Sequence, residues 1–202
     1  MKGPDASPTD NPYEWTNPRT GEVVDVPAGI DPGWGYHPGL VTRNAETLQT
    51  LADKLEAVPA DFANAALKDI VQSPSFIDWL KNPQGAFPVM RVKDSAAAAI
   101  GAKNKVALLS PYSLKHIHFR HPEITPEDLT VLPLMGESPT VIVKTNENKF
   151  IIVRDGEKAY WAVVKAAQSG GRETFITSFR ETHARDVKAL IRTGKVLYGE
   201  WK

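Results

Sequence analysis

Between Thr140 and Phe179 four short segments rich in β-branched and aromatic residues are separated by turn chemistry: TVIVKT, then NEN, then KFIIVRD with the turn at Asp155-Gly156, then KAYWAVVKA, QSGGR and ETFITSF. Strand-forming runs with such short connections read as an antiparallel meander. Any fold for this chain has to be built around that four-stranded unit.

The segments before it read as helices and short strands. Leu48, Leu51, Leu55 and Val58 recur at three- and four-residue spacing behind Asn44, and Pro59 closes the run. A second helix is expected over 60–72 with Phe62, Ala66 and Ile70 inward. A third, capped by Ser73-Pro74, has Phe76, Trp79 and Leu80 inward and ends at Asn82-Pro83. VMRV and KVALL alternate like strands on either side of DSAAAAIG, which has the form of a short Asp-capped helix closed by Gly. A helix is expected from Pro111 or Ser113 to Arg120, and TPEDLTVLPLM reads as one Thr-capped helix with Pro126 at its first position. Thr182 is the expected cap of a last helix running through Arg192 and stopped by Gly194. The class is therefore α+β, with helices first and an antiparallel sheet after them.

Residues 1–43 differ from the rest. Seven prolines and six glycines before Thr42 exclude a helix, and NPRTGEVVDVP looks like a turn followed by a short strand. Tyr13, Trp15, Trp34 and Tyr36 are more rings than a linker needs, so this arm is expected to pack along a folded surface or a partner. The division is an arm over 1–43, a helical subdomain over 44–86 and an α+β unit over 87–202.

A chain of 202 residues without cysteine excludes disulfides, thiolate metal sites and a thiol nucleophile. Its longest apolar runs are too short to span a bilayer, and MKGPDASPTD lacks the apolar stretch of a signal peptide, so no membrane partner is expected. The net charge of zero conceals a division. Residues 1–100 hold 8 Lys+Arg against 13 Asp+Glu and residues 101–202 hold 16 against 11, so the halves carry −5 and +5. A basic half suits an anionic partner such as RNA, and it suits an ordinary solvated surface equally well.

LSPYSLKHIHFRHPEIT places His116, His118 and His121 within six residues, beside Lys115 and Arg120. No zinc-helix motif accompanies them, so no metal and no cofactor is expected. Histidine is the usual proton carrier near neutrality. In RNA cleavage by the neighbouring 2′-hydroxyl, His116 or His121 would move protons, Lys165, Arg180 or Arg120 would supply the cation, and Thr177 and Ser178 would hold the phosphate. The plain alternative is that His118 is solvated and that Lys165 and Arg180 are strand-surface charges. Phe119, Phe150, Tyr160, Trp161 and Phe175 are expected in the core, although Trp161 beside Lys165 is placed to stack a base.

FPVMRVKDSAAAAIGAKNKVALLSPYSLKHIHFRHPEIT, continued by YWAVVKA, ETFITSF and ARDVKALIRTGKV, resembles the phage-associated nuclease domains grouped with barnase, EndoU, colicin-type ribonucleases and RelE. The N-terminal YEWTNPRTGEVVDVPAGIDPGWGYHPG separately resembles the tail of Mu F-like minor head proteins. The first resemblance implies helices packed on a four-stranded antiparallel sheet, with Ser110, Ser113, His116 and His121 at the helix, Lys165 on the third strand and Thr177 with Ser178 on the fourth. Related domains carry Lys where His116 stands, which implies an electrostatic role for it and leaves His121 as proton carrier.

The implied activity is that of a metal-independent endoribonuclease in a phage head protein or a toxin derived from one. It would act in the virion or the host cytoplasm on RNA, tRNA included, with Arg120, Trp161 and Arg180 as further substrate contacts and an immunity protein as partner of a toxin. The alternative is a non-catalytic minor head module that binds portal or capsid subunits. An ADP-ribosyltransferase of the paired-glutamate kind is disfavoured, because the chain contains no Glu-x-Glu.

Overall fold

Helix-forming periodicity and strand alternation both survive in the computed structural model, which describes residues 13–16, 23–26, 45–167 and 173–202. Strands β1 (Tyr13–Thr16) and β2 (Val23–Val26) pair antiparallel. The rest of the arm, its expected packing, Asn44 and the QSGGR turn lie outside the described residues. Helices α1 (Ala45–Glu56), α2 (Ala60–Val71) and α3 (Pro74–Lys81) follow, with Leu48, Leu51, Leu55, Val58, Ile70, Phe76 and Trp79 buried as their spacing predicts.

The expected meander is present as β5 (Val141–Asn146), β6 (Lys149–Arg154), β7 (Tyr160–Ala166) and β8 (Thr174–Glu181). It is not a separate four-stranded sheet. Strands β3 (Phe87–Arg91) and β4 (Val106–Leu109) extend it at one edge and β9 (Lys195–Gly199) at the other, giving a mixed sheet of seven strands among the described residues in the order β3-β4-β8-β7-β6-β5-β9. Only the β4–β8 pairing is parallel, with Ala107 opposite Thr174 and Leu108 opposite Phe175. A parallel pair needs a long crossover, and here it contains three helices and the other three strands of the meander. Strand β9 is a further departure from expectation. KVLYG is mostly exposed, so no periodicity marks it, and its pairing with β5 alone defines it.

Helix α5 spans Pro111–Arg120. The segment after it is two helices, α6 (Pro126–Leu129) and α7 (Leu132–Glu137), rather than one. Pro133 has no N–H to donate back to Leu129, so the chain turns and starts again. Helix α4 covers Asp94–Ala99 with Lys93 at its N-cap position. Asp94 is its first residue, paired with Arg91 at 2.9 Å and Lys105 at 3.2 Å rather than capping. The last helix, α8 (Ala184–Thr193), has His183 and not Thr182 at its N-cap position. The Thr182 hydroxyl is buried without a partner.

One hydrophobic cluster runs from α1, α2 and α3 through β3 and β4 to Phe150, Ala162, Ile176 and Phe179 of the meander, so these three helices share a core with the sheet. Phe76, Trp79 and Phe87 meet with ring centroids 4.8 to 6.1 Å apart and tie α3 to β3. A second cluster lies on the opposite side of the sheet, where Val187 and Leu190 of α8 cover Val141, Val143, Ile151 and Val153.

The open edge of β3 is closed by a side chain. Asn64, 1% exposed, donates its amide to the Arg91 carbonyl and accepts from the Arg91 N–H, both at 2.9 Å. At the same place α7 approaches so closely that a Cβ on Gly136 would stand 2.7 Å from the Arg91 carbonyl oxygen. Asn64→Ala leaves two buried backbone groups unsatisfied and is expected to cost about 2 to 4 kcal/mol in urea unfolding. Gly136→Ala should cost about 1 to 3 kcal/mol by overpacking. Either variant unfolding like the parent would remove this junction from the account of the fold.

Candidate functional site

The meander's alternation decides which of its side chains face outward. On β7, Tyr160, Ala162, Val164 and Ala166 are buried, whereas Trp161, Val163 and Lys165 point to the other side. Opposite them on β8, Arg180 is the register partner of Trp161, Ser178 of Val163 and Phe175 of Lys165. A bulge between Ile176 and Ser178 leaves Thr177 as the extra residue, so Thr177 and Ser178 both stand against Val163. Lys165, Thr177, Ser178, Trp161 and Arg180 therefore belong to one region of the sheet surface, on neighbouring strands.

Their surroundings differ. The Arg180 guanidinium lies 4.5 Å above the Trp161 ring, 3.4 Å from Asp186 of α8, and donates to the Glu181 carbonyl. It is already engaged, and it covers the ring face that base stacking would need. Lys165 is exposed, and the strand on its other side places Lys149 directly opposite it. Two like charges across a strand pair repel, and neither ammonium has a carboxylate within ion-pair distance among the described residues. Nothing in the sequence marks Lys149, because the partner of Lys165 across the β6–β7 pairing depends on the register.

The histidine-bearing segment packs beside β8. Ser110 caps α5, accepting from the Ser113 N–H at 3.0 Å and donating to the Ser113 hydroxyl at 3.1 Å, and Ser113 is buried, so these two serines are engaged in holding the helix start. Pro111 at the first helical position suits that start. Leu114 and Ile117 enter the main core; His116 is half-buried, and His118 and Arg120 are exposed. His121 ends the helix, with Nδ1 3.5 Å from the Glu123 carboxylate. Among the described residues no hydrogen bond or ion pair links His116 or His121 to Lys165, Thr177 or Ser178. The two halves belong to different sides of the sheet: Leu114 and Ile117 of α5 enter the main core, whereas Trp161 and Val163 pack with the α8 cluster, and α5 meets that second side only along β8.

Phe119 is a correction to the expected core. It is 81% exposed, as is Tyr112, whereas Phe150, Tyr160 and Phe179 are buried. On a helix that buries Ser113, Leu114 and Ile117, positions 112, 115, 116 and 119 form the opposite stripe, so Phe119 could have been read correctly and Tyr112 found.

A second polar group lies where α6 meets the end of β7. Thr125 and Asp128 form a capping box in which Asp128 accepts from the Thr125 N–H at 2.8 Å. The Tyr160 hydroxyl also donates to Asp128, and Lys158 bridges to Asp128 at 3.5 Å and Glu181 at 2.5 Å. Burial works to raise the Asp128 carboxyl. The hydrogen bonds from Tyr160 and Thr125 and the Lys158 charge outweigh it and hold the group below its ordinary range. Burial first, and then Asp128 itself, pushes the Tyr160 phenol upward. Asp128, Lys158 and Tyr160 line a cavity of about 460 Å³ with Arg154, whose guanidinium is taken up by Ser138.

Among the described residues no three His, Asp or Glu side chains stand close enough to hold a metal ion, and no helix is long and apolar enough to cross a membrane. No protein-family model, curated protein or solved structure matches the chain.

A depressed carboxyl contributes stability that is present above its unfolded pKa and is lost as pH falls through the folded one. Asp128→Asn is therefore expected to destabilise by about 1 to 3 kcal/mol above pH ~4, and the difference from the parent should shrink toward pH ~2. Urea unfolding at several pH values measures this; a difference independent of pH would show that the carboxylate charge is not what stabilises the junction.

Proposed function

We propose that the protein is a metal-independent endoribonuclease in which the Lys149–Lys165 end of the sheet's α8 side takes the phosphate and α5, meeting that side along β8, supplies the proton carriers. The observation that carries the proposal is the row formed by Lys149 and Lys165, two lysines opposite each other with no carboxylate in ion-pair distance among the described residues, beside the strand whose bulge carries Thr177 and Ser178 and against which the histidine helix packs. Repulsion between paired cations is relieved by an anion, and a phosphodiester is an anion with several acceptor oxygens.

In this reading the 2′-oxygen attacks phosphorus and the bond to the 5′-oxygen breaks, leaving a 2′,3′-cyclic phosphate and a free 5′-hydroxyl. One imidazole takes the 2′-hydroxyl proton and another group gives a proton to the leaving 5′-oxygen. His121 is the better carrier, since Glu123 beside its Nδ1 would orient the ring and leave Nε2 for substrate. His116, next to Lys115 on α5, serves as the second carrier or as a cation. Arg180 and Trp161, stacked on each other, and the capping serines Ser110 and Ser113 are assigned to shaping the site rather than to touching RNA.

The same proposal takes β5 to β8 with α5 as a barnase/EndoU/colicin/RelE-like unit extended by strands at both edges. It also includes the setting that the resemblance implies, a phage head protein or a toxin derived from one. The non-catalytic head module rests on the aromatic arm, most of which lies outside the described residues.

Incubated with total RNA and with tRNA in EDTA, the protein should yield fragments ending in 2′,3′-cyclic phosphate and should leave DNA intact. His121→Ala should slow cleavage about 10²- to 10⁴-fold. Lys149→Ala and Lys165→Ala should each lower the salt dependence of RNA binding by about 0.7 in the log–log slope. Intact RNA, or cleavage of DNA at a similar rate, overturns the proposal.

A further inference from the structure

Tyr112 and Phe119 are separated by seven residues on α5, which places them on one stripe of the helix about 10 Å apart along its axis. Each is 81% exposed, about twice the exposure of Val196 (42%) and Tyr198 (41%), the other large apolar side chains at the described surface. Tyr198 has Lys93 over its ring at 4.5 Å, whereas neither ring on α5 has a ring contact, a cation over it or a hydrogen bond among the described residues. Leaving two such rings in water forgoes the burial each would gain in a core.

The chemistry around them is one-sided. Lys115 and His116 lie between them on the same stripe, Arg120 and His118 flank Phe119, and no Asp or Glu occurs from Leu109 to Pro122. An apolar protein surface would bury Lys115 and Arg120 unpaired, and an acidic one would gain little from the rings. A single strand of nucleic acid satisfies both, because its bases offer flat faces for stacking and its phosphates meet the cations.

The geometry points to a base-stacking platform on α5, with Tyr112 and Phe119 gripping two unpaired bases about three stacked steps apart while Lys115 and Arg120 hold the intervening phosphates. Taking RNA as the occupant rests on the nuclease reading; the platform itself does not. It makes unpaired loops and ends the preferred segments, since in a duplex the base faces are hidden.

The test reads binding apart from cleavage. Fluorescence anisotropy would use a twelve-nucleotide 2′-O-methyl oligonucleotide, which cannot be cleaved through its 2′-oxygen, as a single strand and as a duplex. Tyr112→Ala and Phe119→Ala should each weaken single-strand binding about 5- to 150-fold. Tyr112→Phe should bind like the parent, and duplex affinity should change little in any variant. Both rings are exposed, so the variants should unfold at the parent's denaturant midpoint, which separates lost stacking from lost folding.

Single-strand binding that survives the Tyr112→Ala, Phe119→Ala double variant overturns the platform, and so does a parent protein that binds no oligonucleotide. Binding lost with the rings, in a protein that leaves natural RNA intact, supports the platform and removes only the nuclease reading.

Discussion

Asn64 does for β3 what a neighbouring strand would do. An edge strand presents unpaired N–H and carbonyl groups, and here the two groups of Arg91 would be buried beneath α2 and α7, where each lacks water. A carboxamide carries one donor and one acceptor at the spacing of a peptide group, so a single side chain satisfies both. That bond lets α2 lie directly on the strand edge. Gly136 lets α7 follow at a distance that any Cβ would forbid. Three elements far apart in sequence are locked at one point, at a cost of a few kcal/mol if it fails, which is a large part of the stability of a chain this size.

The candidate site inherits its position from that point. Strand β3 is the antiparallel partner of β4, and β4 lies parallel to β8 through only two register pairs. Glu56 of α1 reinforces the short strand by accepting the Val106 N–H at 2.5 Å. Because β4 ends at Leu109 and Ser110 caps α5 at once, the helix has no length of loop in which to wander, and it begins beside β8. Displacing β3 would therefore displace the histidines relative to the Thr177 bulge without touching either. A contact remote from the site thus sets its geometry.

The parts legible in the sequence were those governed by periodicity. The burial of Leu48, Leu51 and Leu55 follows from helical spacing, and Phe150 and Tyr160 lie in the core as expected, whereas Trp161, expected there too, points to the other side because neighbouring strand residues face opposite ways. What was missed depends on pairing or on a local exception. The bulge at Thr177 is invisible until β7 supplies a count of residues on the other strand, and Lys149 acquires meaning only as the partner of Lys165. Pro133 divides a pattern that reads as one helix, and β9 has too few buried residues to announce itself. Phe119 is a different case. Its position opposite Leu114 and Ile117 was available, but the composition of the segment, an aromatic among basic residues, was read as core.

Two polar regions of the protein can be set against each other. Around Asp128 the charged and hydroxyl groups are paired, with Tyr160, Thr125 and Lys158 on the carboxylate and Glu181 on the lysine. Such an arrangement stabilises the packing of α6 on the sheet and leaves little for a ligand to complete. On the outward surface of β6 to β8 and on α5 the opposite holds: Lys149 faces Lys165, the rings of Tyr112 and Phe119 meet water, and a bulge interrupts the strand between them and the lysines. Each of these features lowers stability, and none is relieved by another part of the described chain. Local choices that conflict with stability gather where a chain is shaped by something it binds. The unrelieved rings fall on α5, which packs beside β8, and the unrelieved charges on β7 and β6, the next strands in the sheet, so in the proposed reading one ligand with both phosphates and base faces accounts for them more simply than two separate partners would.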